Sequence, residues 1–297
     1  MKHLILGTDW YSDCDDCVAV RLLVNLHRAK QISLDGIAIN ACMEYSAASL
    51  CGFLEKSGVT DIPIALDCEA TNFAGTGRYQ KRLAQYATKI KSNDEAEEPI
   101  KLYRKVLAAV EGKVDVLEIG FNQILAGLLK SNGDEISPLK GIDLVREKVE
   151  HLWIVGGQWD IPTGGKEHNF CNTLKASKSI EYVCENWPTP ITFLGFEVGD
   201  TVITGNKLDH NDPLHQAIID TGHKNGRSSW DPMLVLLGST GDLSGEGYTS
   251  VTGSARVDGD TGVNYFTETP DGNHRYVKKT EPDEFYENRI NAMINLQ

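Results

Sequence analysis

The sequence contains no hydrophobic run long enough to cross a membrane, since its longest apolar stretches reach only about half the length of a membrane-spanning helix. The N-terminal segment MKHLILG meets Asp9 before the apolar region of a signal peptide could form. Basic residues are also scarce, with 29 Lys and Arg against 42 Asp and Glu, and the net charge is −13. Such a charge repels nucleic acid and anionic membranes. We therefore expect a cytoplasmic protein that binds neither.

Cysteines are few and show no pairing pattern. The seven are odd in number and scattered, which does not fit the disulfide framework of a small secreted domain. Cys14 and Cys17 form a CxxC, but Asp15 and Asp16 lie between them, and these negative charges disfavour a reactive thiolate. No second CxxC is present to complete a zinc site. The cysteines therefore favour a reducing compartment and argue against a redox or zinc centre.

The composition is that of a globular protein. Hydrophobic residues make up 41% and charged residues 24%, which excludes a disordered chain, a coiled coil and a collagen-like repeat. A length of 297 residues suits one large α/β domain or two small ones. Because the chain shows no linker, internal repeat or low-complexity segment, we expect a single domain over residues 1–297.

Strand patterns alternate with helical patterns up to about residue 196. This alternation predicts an α/β fold with a mainly parallel open sheet flanked by helices, and the later segments predict a small antiparallel C-terminal extension. The polar stretch 67–98 shows no clear pattern. The predicted strands are 3–8, 34–40, 62–66, 114–120, 151–156 and 191–196, with antiparallel strands within 249–277, and the predicted helices are 15–28, 45–56, 99–110, 123–129, 174–186, 230–237 and 282–295.

Four carboxylates crowd the segment GTDWYSDCDDC. Asp9 ends the first predicted strand, and Asp13, Asp15 and Asp16 lie around the start of the following helix. One or two aspartates would be explained as helix caps. Four within eight residues repel one another unless a cation or shared protons relieve the repulsion. Ligands also bind beyond the carboxyl ends of strands in open α/β sheets. Oxygen ligands without His or Cys favour a hard cation, Ca²⁺ or Mg²⁺, and Ca²⁺ tolerates the more irregular cage.

A resemblance to a known family begins at the same segment. The string LILGTDWYSDCDDCVAV resembles the N-terminal signature of the inosine-uridine nucleoside hydrolase family, in a longer variant with two extra residues before the paired aspartates. Further similar segments follow in the family's order over most of the chain: LEIGFNQILAGLL, WIVGGQWD, EHNF, NWPTPITFLGFEVGD and SSWDP. The resemblance implies the nucleoside-hydrolase fold and a Ca²⁺-dependent enzyme of purine or pyrimidine salvage, which hydrolyses ribonucleosides to free base and ribose.

The resemblance also implies roles for individual residues. Asp9 resembles the catalytic base, which contacts the metal and takes a proton from a Ca²⁺-bound water. The other implied metal ligands are Asp16, the main-chain carbonyl of Ile119, and Asp231. The implied substrate contacts are Asp15 on the ribose, Asn40, Glu167 and Asn169 on sugar hydroxyls, and Trp230 beside the base. A homodimer or homotetramer is the oligomeric state that the family suggests.

The sequence departs from the family pattern near these residues. Gly7 stands where another Asp is usual, which removes a hydrogen-bond acceptor, and Tyr11 stands where Gly is usual, which would narrow the mouth of the site. Trp230 replaces a His that assists the leaving base, and the purine-specific branch carries Trp there. Packing at a helix start is the alternative explanation of Trp230. Trp10, Tyr11 and Trp159 lie in loops at the predicted strand ends, where base stacking and lid packing both stay open.

Two other functions stay open on the sequence. A Mg²⁺-dependent phosphohydrolase would use Asp13 or Asp15 as nucleophile, but no basic residue lies near the cluster in sequence, and acidic groups occupy the helix N-terminus where a phosphate would bind. A noncatalytic nucleoside- or sugar-binding protein would keep the sugar contacts but would not need Asp9. We therefore expect an enzyme.

Overall fold

The computed structural model describes residues 1–11, 13–72 and 77–296. The strands within these residues are β1 Lys2–Thr8, β2 Ile32–Ile39, β3 Ile64–Leu66, β4 Val114–Glu118, β5 Val149–Val155, β6 Ile191–Leu194, β7 Ile203–Thr204, β8 Arg227–Ser228, β9 Tyr248–Val257, β10 Asn264–Glu268 and β11 His274–Lys279. The helices are α1 Asp15–Arg28, α2 Ser46–Lys56, α3 Gln80–Ala84, α4 Pro99–Ala109, α5 Gln123–Lys130, α6 Gly141–Lys148, α7 His168–Cys171, α8 Leu174–Asn186, α9 Phe196–Gly199, α10 Pro213–Asp220, α11 Trp230–Thr240 and α12 Asp283–Ile294. None of these helices is long and apolar enough to cross a bilayer.

The described strands form one large sheet in the order β10-β9-β11-β6-β5-β4-β1-β2-β3, and β7 and β8 form a separate antiparallel pair. Pairing is parallel from β3 to β11, and β9 runs antiparallel to both β11 and β10. The predicted α/β fold, with its mainly parallel sheet and antiparallel C-terminal extension, is confirmed. The chain builds outward from β1 in both directions, so β1 and β4 flank the point where the strand order reverses. Ligands bind at this point in open α/β sheets.

Helices cover both faces of the sheet. Side chains of a strand alternate between the faces, so Leu4 and Leu6 pack on one hydrophobic cluster while Ile5 packs on the other. The first cluster includes residues of α1, α2, α11 and α12, and the second includes residues of α4, α5, α6 and α8. Burial on both faces explains why the central strands are almost continuously apolar in sequence.

The structure contains helices that the sequence did not predict. Helices α6 and α10 are eight residues long, and α3 and a 3₁₀ turn at Asn93–Glu95 lie within the unassigned stretch 67–98. Helices this short are marginal by themselves and depend on tertiary packing. Helix α10 nevertheless carries a local signal, because the Asp212 side chain accepts a hydrogen bond from Leu214 N at 2.8 Å and Pro213 begins the helix.

Candidate active site

A cavity of about 320 Å³ lies at the carboxyl ends of the central strands. Its wall combines the β1–α1 loop, the residues after β4, the segment before α7, and the starts of α9 and α11. Eight of the nine predicted site residues line it: Asp9, Asp15, Asp16, Ile119, Glu167, Asn169, Trp230 and Asp231. The structure therefore brings the N-terminal aspartates and the distant Asp231 together at one site.

Three carboxylates of the acidic cluster are buried and lie close together. One ligand oxygen from each of Asp15, Asp16 and Asp231 lies within 4.8 Å of the others, close enough to share a cation. Asp16 accepts hydrogen bonds from the Thr8 hydroxyl and from Trp10 N, the latter at 3.2 Å. Asp15 thus lies among the possible ligands, whereas the sequence prediction placed it on the ribose. The N-termini of α1 and α11 both meet this cluster, and their partial positive charges favour carboxylates there.

The carboxylates of the cluster resist ionisation in the absence of a cation. Burial, and then the charges of neighbouring aspartates, raise the pKa of Asp9, Asp15 and Asp231 well above the ordinary value. Burial raises the pKa of Asp16 to about 6, even though the hydrogen bonds from Thr8 and Trp10 act in the opposite direction. The Asp9 carboxyl lies in hydrogen-bonding contact with that of Asp16. A positive ion would relieve this repulsion, and the all-oxygen donor set fits a hard cation.

The end of β4 approaches the end of β1 at Gly120. A Cβ on Gly120 would lie 2.5 Å from Asp9 N and 2.5 Å from Asn40 Oδ1, so only glycine allows this approach. Ile119 N donates to the Gly7 carbonyl at 2.9 Å, which extends the pairing past the last strand residue. These contacts place Ile119 at the cavity, which Asp9 also lines.

Asn40 is the predicted site residue that does not line the cavity. It is fully buried, its Nδ2 donates to Glu118 Oε1 at 2.8 Å, and its Oδ1 accepts from Phe121 N at 2.9 Å. Both ends of the amide are therefore engaged within the protein, and the sugar contact of Asn40 stays a prediction.

Glu118 occupies the space left open by Gly7. The two residues are opposite each other in the β1–β4 register, and a Cβ on Gly7 would lie 2.2 Å from Glu118 Oε2. Glu118 Oε1 accepts from Gly120 N at 3.0 Å in addition to Asn40, whereas Oε2 has no hydrogen-bond partner among the residues that the structure describes. Burial raises the pKa of Glu118 to about 8. A carboxyl group is thus present beneath the site, although it comes from β4 and not from residue 7.

Glu167 and Asn169 form one part of the cavity wall. The Glu167 carboxylate caps the short helix α7 by accepting from Asn169 N at 2.8 Å, and it also accepts from Gly157 N at 3.1 Å. Desolvation raises the pKa of Glu167 to about 7. Asn169 Nδ2 donates to the Val155 carbonyl at 3.3 Å and to the Ile119 carbonyl at 3.5 Å. These bonds fix both polar side chains at the cavity wall.

An aromatic pair forms another part of the wall. Trp230 and Phe196 are stacked with ring centroids 5.3 Å apart, and Trp230 Nε1 donates to the Phe196 carbonyl at 2.7 Å. Phe196 is 40% exposed, so the pair presents an aromatic surface to the cavity. Such a surface is suited to stacking on a planar heterocycle.

Sequence reasoning missed Arg227, a basic group that contacts the acidic cluster. Its Nε donates to Asp13 Oδ1 at 2.8 Å, and its guanidinium carbon lies 5.0 Å from the centre of the Trp230 ring. Burial by itself would raise the pKa of Asp13, but the hydrogen bonds and charge of Arg227 lower it. The pair joins positions 214 residues apart, and no local pattern marks such a contact.

Of the three aromatic residues predicted in loops at the strand ends, two pack in the protein interior and one lines the cavity. Trp10 is fully buried, with Nε1 donating to Ser49 Oγ at 2.8 Å, and Trp159 packs against Phe193 at 4.9 Å between ring centroids. Neither lines the cavity, whereas Tyr11 does. Burial, followed by the charge of Asp9, raises the pKa of Tyr11.

The chain matches no family model and no curated protein sequence. Its structure, however, is similar to solved structures. An inosine-uridine preferring nucleoside hydrolase from Bacillus anthracis aligns with a TM-score of 0.66 and 17% identity over 100% of both chains. A purine-preferring ribonucleoside hydrolase from Gardnerella vaginalis aligns with a TM-score of 0.71 and 15% identity, again over 100% of both chains. The type III effector protein XopQ, solved in complex with adenosine diphosphate ribose, aligns with a TM-score of 0.66 and 13% identity over 99% of this chain and 93% of that one. At these identities the similarity establishes the fold, and the predicted nucleoside-hydrolase fold is confirmed.

Proposed function

We propose that this protein is a divalent-cation-dependent N-glycosyl hydrolase that cleaves ribonucleosides to free base and ribose. The observation that carries the proposal is the cluster of Asp15, Asp16 and Asp231, whose ligand oxygens lie within 4.8 Å of one another beside Asp9. Carboxylates packed this closely and buried are costly to ionise unless they bind a cation or hold protons. The fold supports the same reaction, because the two named hydrolases above share it.

The proposed cation is Ca²⁺, held by Asp9, Asp16, Asp231 and the main-chain carbonyl of Ile119. Each of these groups offers oxygen, which hard cations prefer. Asp15 is close enough to bind either the cation or a sugar hydroxyl. When bound, the cation supplies positive charge that offsets the repulsion within the cluster, makes the attacking water more acidic and holds the sugar hydroxyls.

The side chains of the protein then have distinct tasks. Asp9, whose pKa is raised by burial, accepts the proton of the attacking water as general base. The negative charges of the cluster stabilise the positive charge that develops on the sugar ring in an oxocarbenium-like transition state. Glu167 and Asn169 bind sugar hydroxyls from the cavity wall, where hydrogen bonds already fix their orientation. Orientation before binding lowers the entropic cost of reaching the transition state.

Trp230 and Phe196 bind the leaving base by stacking. The larger surface of a purine ring would gain more from this stack than a pyrimidine ring, so we propose a preference for purine ribonucleosides and a role in nucleoside salvage. The resemblance in sequence also leads us to propose a homodimer or homotetramer.

A panel of purine and pyrimidine ribonucleosides, incubated with Ca²⁺ or with EDTA and assayed for free ribose, tests the proposal. Asp9→Asn should lower kcat by about 10²–10⁴, the usual contribution of a general base. Asp143→Asn is the matched control, because its carboxylate lies on the exposed surface of α6, where it pairs with Arg146. Full activity of Asp9→Asn, or activity that EDTA does not reduce, would contradict the proposed chemistry.

Noncatalytic binding is the second candidate, because a protein of the same fold was solved with adenosine diphosphate ribose. Binding of inosine by calorimetry without release of ribose would favour this candidate. A phosphohydrolase is disfavoured, because the guanidinium of Arg227 is paired with Asp13 and offers no free cation for a phosphate.

A further inference from the structure

Arg227 is the only lysine or arginine among the described residues that line the cavity. Its side chain keeps 24% of its surface exposed, so a ligand in the cavity can reach it. The guanidinium carbon lies 5.0 Å from the centre of the Trp230 ring, and that ring is stacked with Phe196. The guanidinium therefore adjoins the aromatic surface that is suited to a planar heterocycle.

Asp13 holds one edge of the guanidinium and leaves another edge able to donate. Nε donates to both carboxylate oxygens of Asp13, at 2.8 and 2.9 Å, and Nη2 donates to Oδ2 at 2.5 Å. Within the described residues, Nη1 has only a long hydrogen bond of 3.5 Å to Ser228 Oγ. Because a guanidinium carries five N–H groups in a fixed plane, the edge formed by Nη1 and Nη2 still has N–H groups to donate. The pair with Asp13 also orients this edge before a ligand binds, which lowers the entropic cost of binding.

The charges around Arg227 restrict the kind of group that this edge can bind. The cavity wall carries five carboxyl groups besides that of Asp13, those of Asp9, Asp15, Asp16, Glu167 and Asp231. Such surroundings repel an anion, whereas they tolerate a neutral group that carries lone pairs. A guanidinium donates hydrogen bonds and accepts none, and its planar fork suits two acceptors side by side. The edge therefore fits a neutral ligand with two adjacent acceptors.

A 6-oxopurine base has this pair of acceptors. Hypoxanthine and guanine carry O6 beside N7, and arginine binds these two atoms of guanine in protein–DNA complexes. Adenine has an amino group in place of O6, so a donor would face a donor. Pyrimidine bases offer at most one acceptor on the corresponding edge. Among the common bases, the 6-oxopurines are thus the ones that match the free edge of Arg227.

We propose that Arg227 selects 6-oxopurine ribonucleosides, by donating from Nη1 and Nη2 to O6 and N7 of a base that stacks on Trp230 and Phe196. This inference rests on the proposed ribonucleoside substrate and specifies its base. The aromatic pair favours a purine by its surface area, and Arg227 distinguishes one purine from another. Arg227 is therefore a substrate-binding residue that determines specificity.

The affinities for inosine, adenosine and purine riboside test the proposal. Purine riboside has a hydrogen atom in place of O6, so it lacks one of the two acceptors. Each nucleoside is titrated by calorimetry with Ca²⁺ in an Asp9→Asn background, so that hydrolysis does not disturb the measurement, and turnover is measured with Asp9 intact. Inosine should bind about 5- to 100-fold more tightly than either of the other two, the discrimination that a two-bond arginine–base contact provides.

Arg227→Lys shows whether this preference comes from the guanidinium. Lysine keeps a positive charge for Asp13 but lacks the planar fork. The substitution should weaken inosine binding about 5- to 100-fold and affect adenosine and purine riboside much less, so that the preference disappears.

Arg21→Lys is the matched control. Arg21 also forms two hydrogen bonds with an aspartate, Asp212, at 2.8 and 2.9 Å, and its guanidinium carbon lies 5.4 Å from the centre of the Phe53 ring. Arg21 does not line the cavity. This substitution should leave all three affinities unchanged, and it should lower the melting temperature about as much as Arg227→Lys does.

Equal binding of the three nucleosides in the Asp9→Asn background would overturn the proposed contact and leave the proposed hydrolysis standing. An inosine preference that persists in Arg227→Lys, or an equal loss for all three nucleosides, would also overturn the contact. If inosine binds with the expected preference but is not hydrolysed when Asp9 is intact, the contact is supported and the proposed catalysis is refuted. If neither the Asp9→Asn variant nor the parent protein binds any of the three, both proposals are refuted.

Discussion

The affinity of the candidate site for the proposed Ca²⁺ should increase as the pH rises from 5 to 8. Asp16 is 2% exposed, and its pKa rises from the ordinary value of 3.8 to about 6 in the cation-free protein. An acid whose pKa is raised by folding holds its proton longer in the folded state. The stability that protonated Asp16 gives to the folded protein is therefore complete below pH 3.8, and it is lost as the pH rises through about 6. A cation that binds at pH 5 must displace that proton, whereas at pH 8 the carboxylate is already ionised.

The magnitude follows from the same value. Each pKa unit corresponds to about 1.4 kcal/mol, so at pH 8 the raised pKa of Asp16 lowers the stability of the folded protein by about 3 kcal/mol relative to an unshifted carboxyl. Competition with the proton at pH 5, about one unit below the pKa, weakens cation binding by about tenfold. Asp9, Asp15 and Asp231 are shifted in the same direction, so tenfold is the lower bound for the whole cluster.

Isothermal titration of Ca²⁺ at pH 5 and pH 8 measures this effect. Repeating the titration at pH 5 in two buffers of different ionisation enthalpy counts the protons released, and we expect about one or more per ion. Asp143→Asn should behave like the parent protein, because Asp143 is exposed and lies outside the cavity lining. Equal affinity at both pH values with no proton release would refute the reasoning.

Two further predictions concern contacts around the site. Gly7→Ala should destabilise the protein by about 1–3 kcal/mol, because the new Cβ would lie 2.2 Å from Glu118 Oε2. Urea unfolding should show that Gly7→Ala costs less stability in a Glu118→Ala background than in the parent protein. Equal losses in the two backgrounds would contradict the contact. Asp13→Asn and Arg227→Gln should each cost about 0.5–1 kcal/mol, since the ion pair is partly exposed. In the same assay, the double variant should lose little more stability than either single variant. If the two losses in the free energy of unfolding simply add, the pair is not coupled.

Much of the fold follows from local patterns. The central strands are apolar over most of their length because both sheet faces are covered, and this pattern predicted β1, β2, β4, β5 and β6 to within a few residues. The short helices α6 and α10 were not predicted, whereas α5 was, although all three are eight residues long. Helix α5 is mostly apolar, and the polar residues of α6 and α10 obscure the helical pattern in so short a segment. The Asp212-Pro213 cap was the one local signal that could have revealed α10.

The residues of the candidate site were also predicted only in part. Crowded aspartates at a strand end indicate a cation site by chemistry and position alone, and the structure gathers Asp9, Asp15 and Asp16 at one cavity with the distant Asp231. The absence of Asn40 from the cavity lining was not anticipated, since it depends on hydrogen bonds to Glu118 and to Phe121 N.

By itself, then, the sequence determined the α/β class, the burial of the central strands and the acidic character of the site. These features depend on periodicity and on charges that lie close together along the chain. Only the tertiary structure decided that Arg227 pairs with Asp13, that Glu118 fills the space left open by Gly7, and that Tyr11 lines the cavity. Such contacts depend on side-chain directions at the ends of strands and on distances between remote segments. No local pattern encodes either, since both arise only when the sheet and its helices pack together.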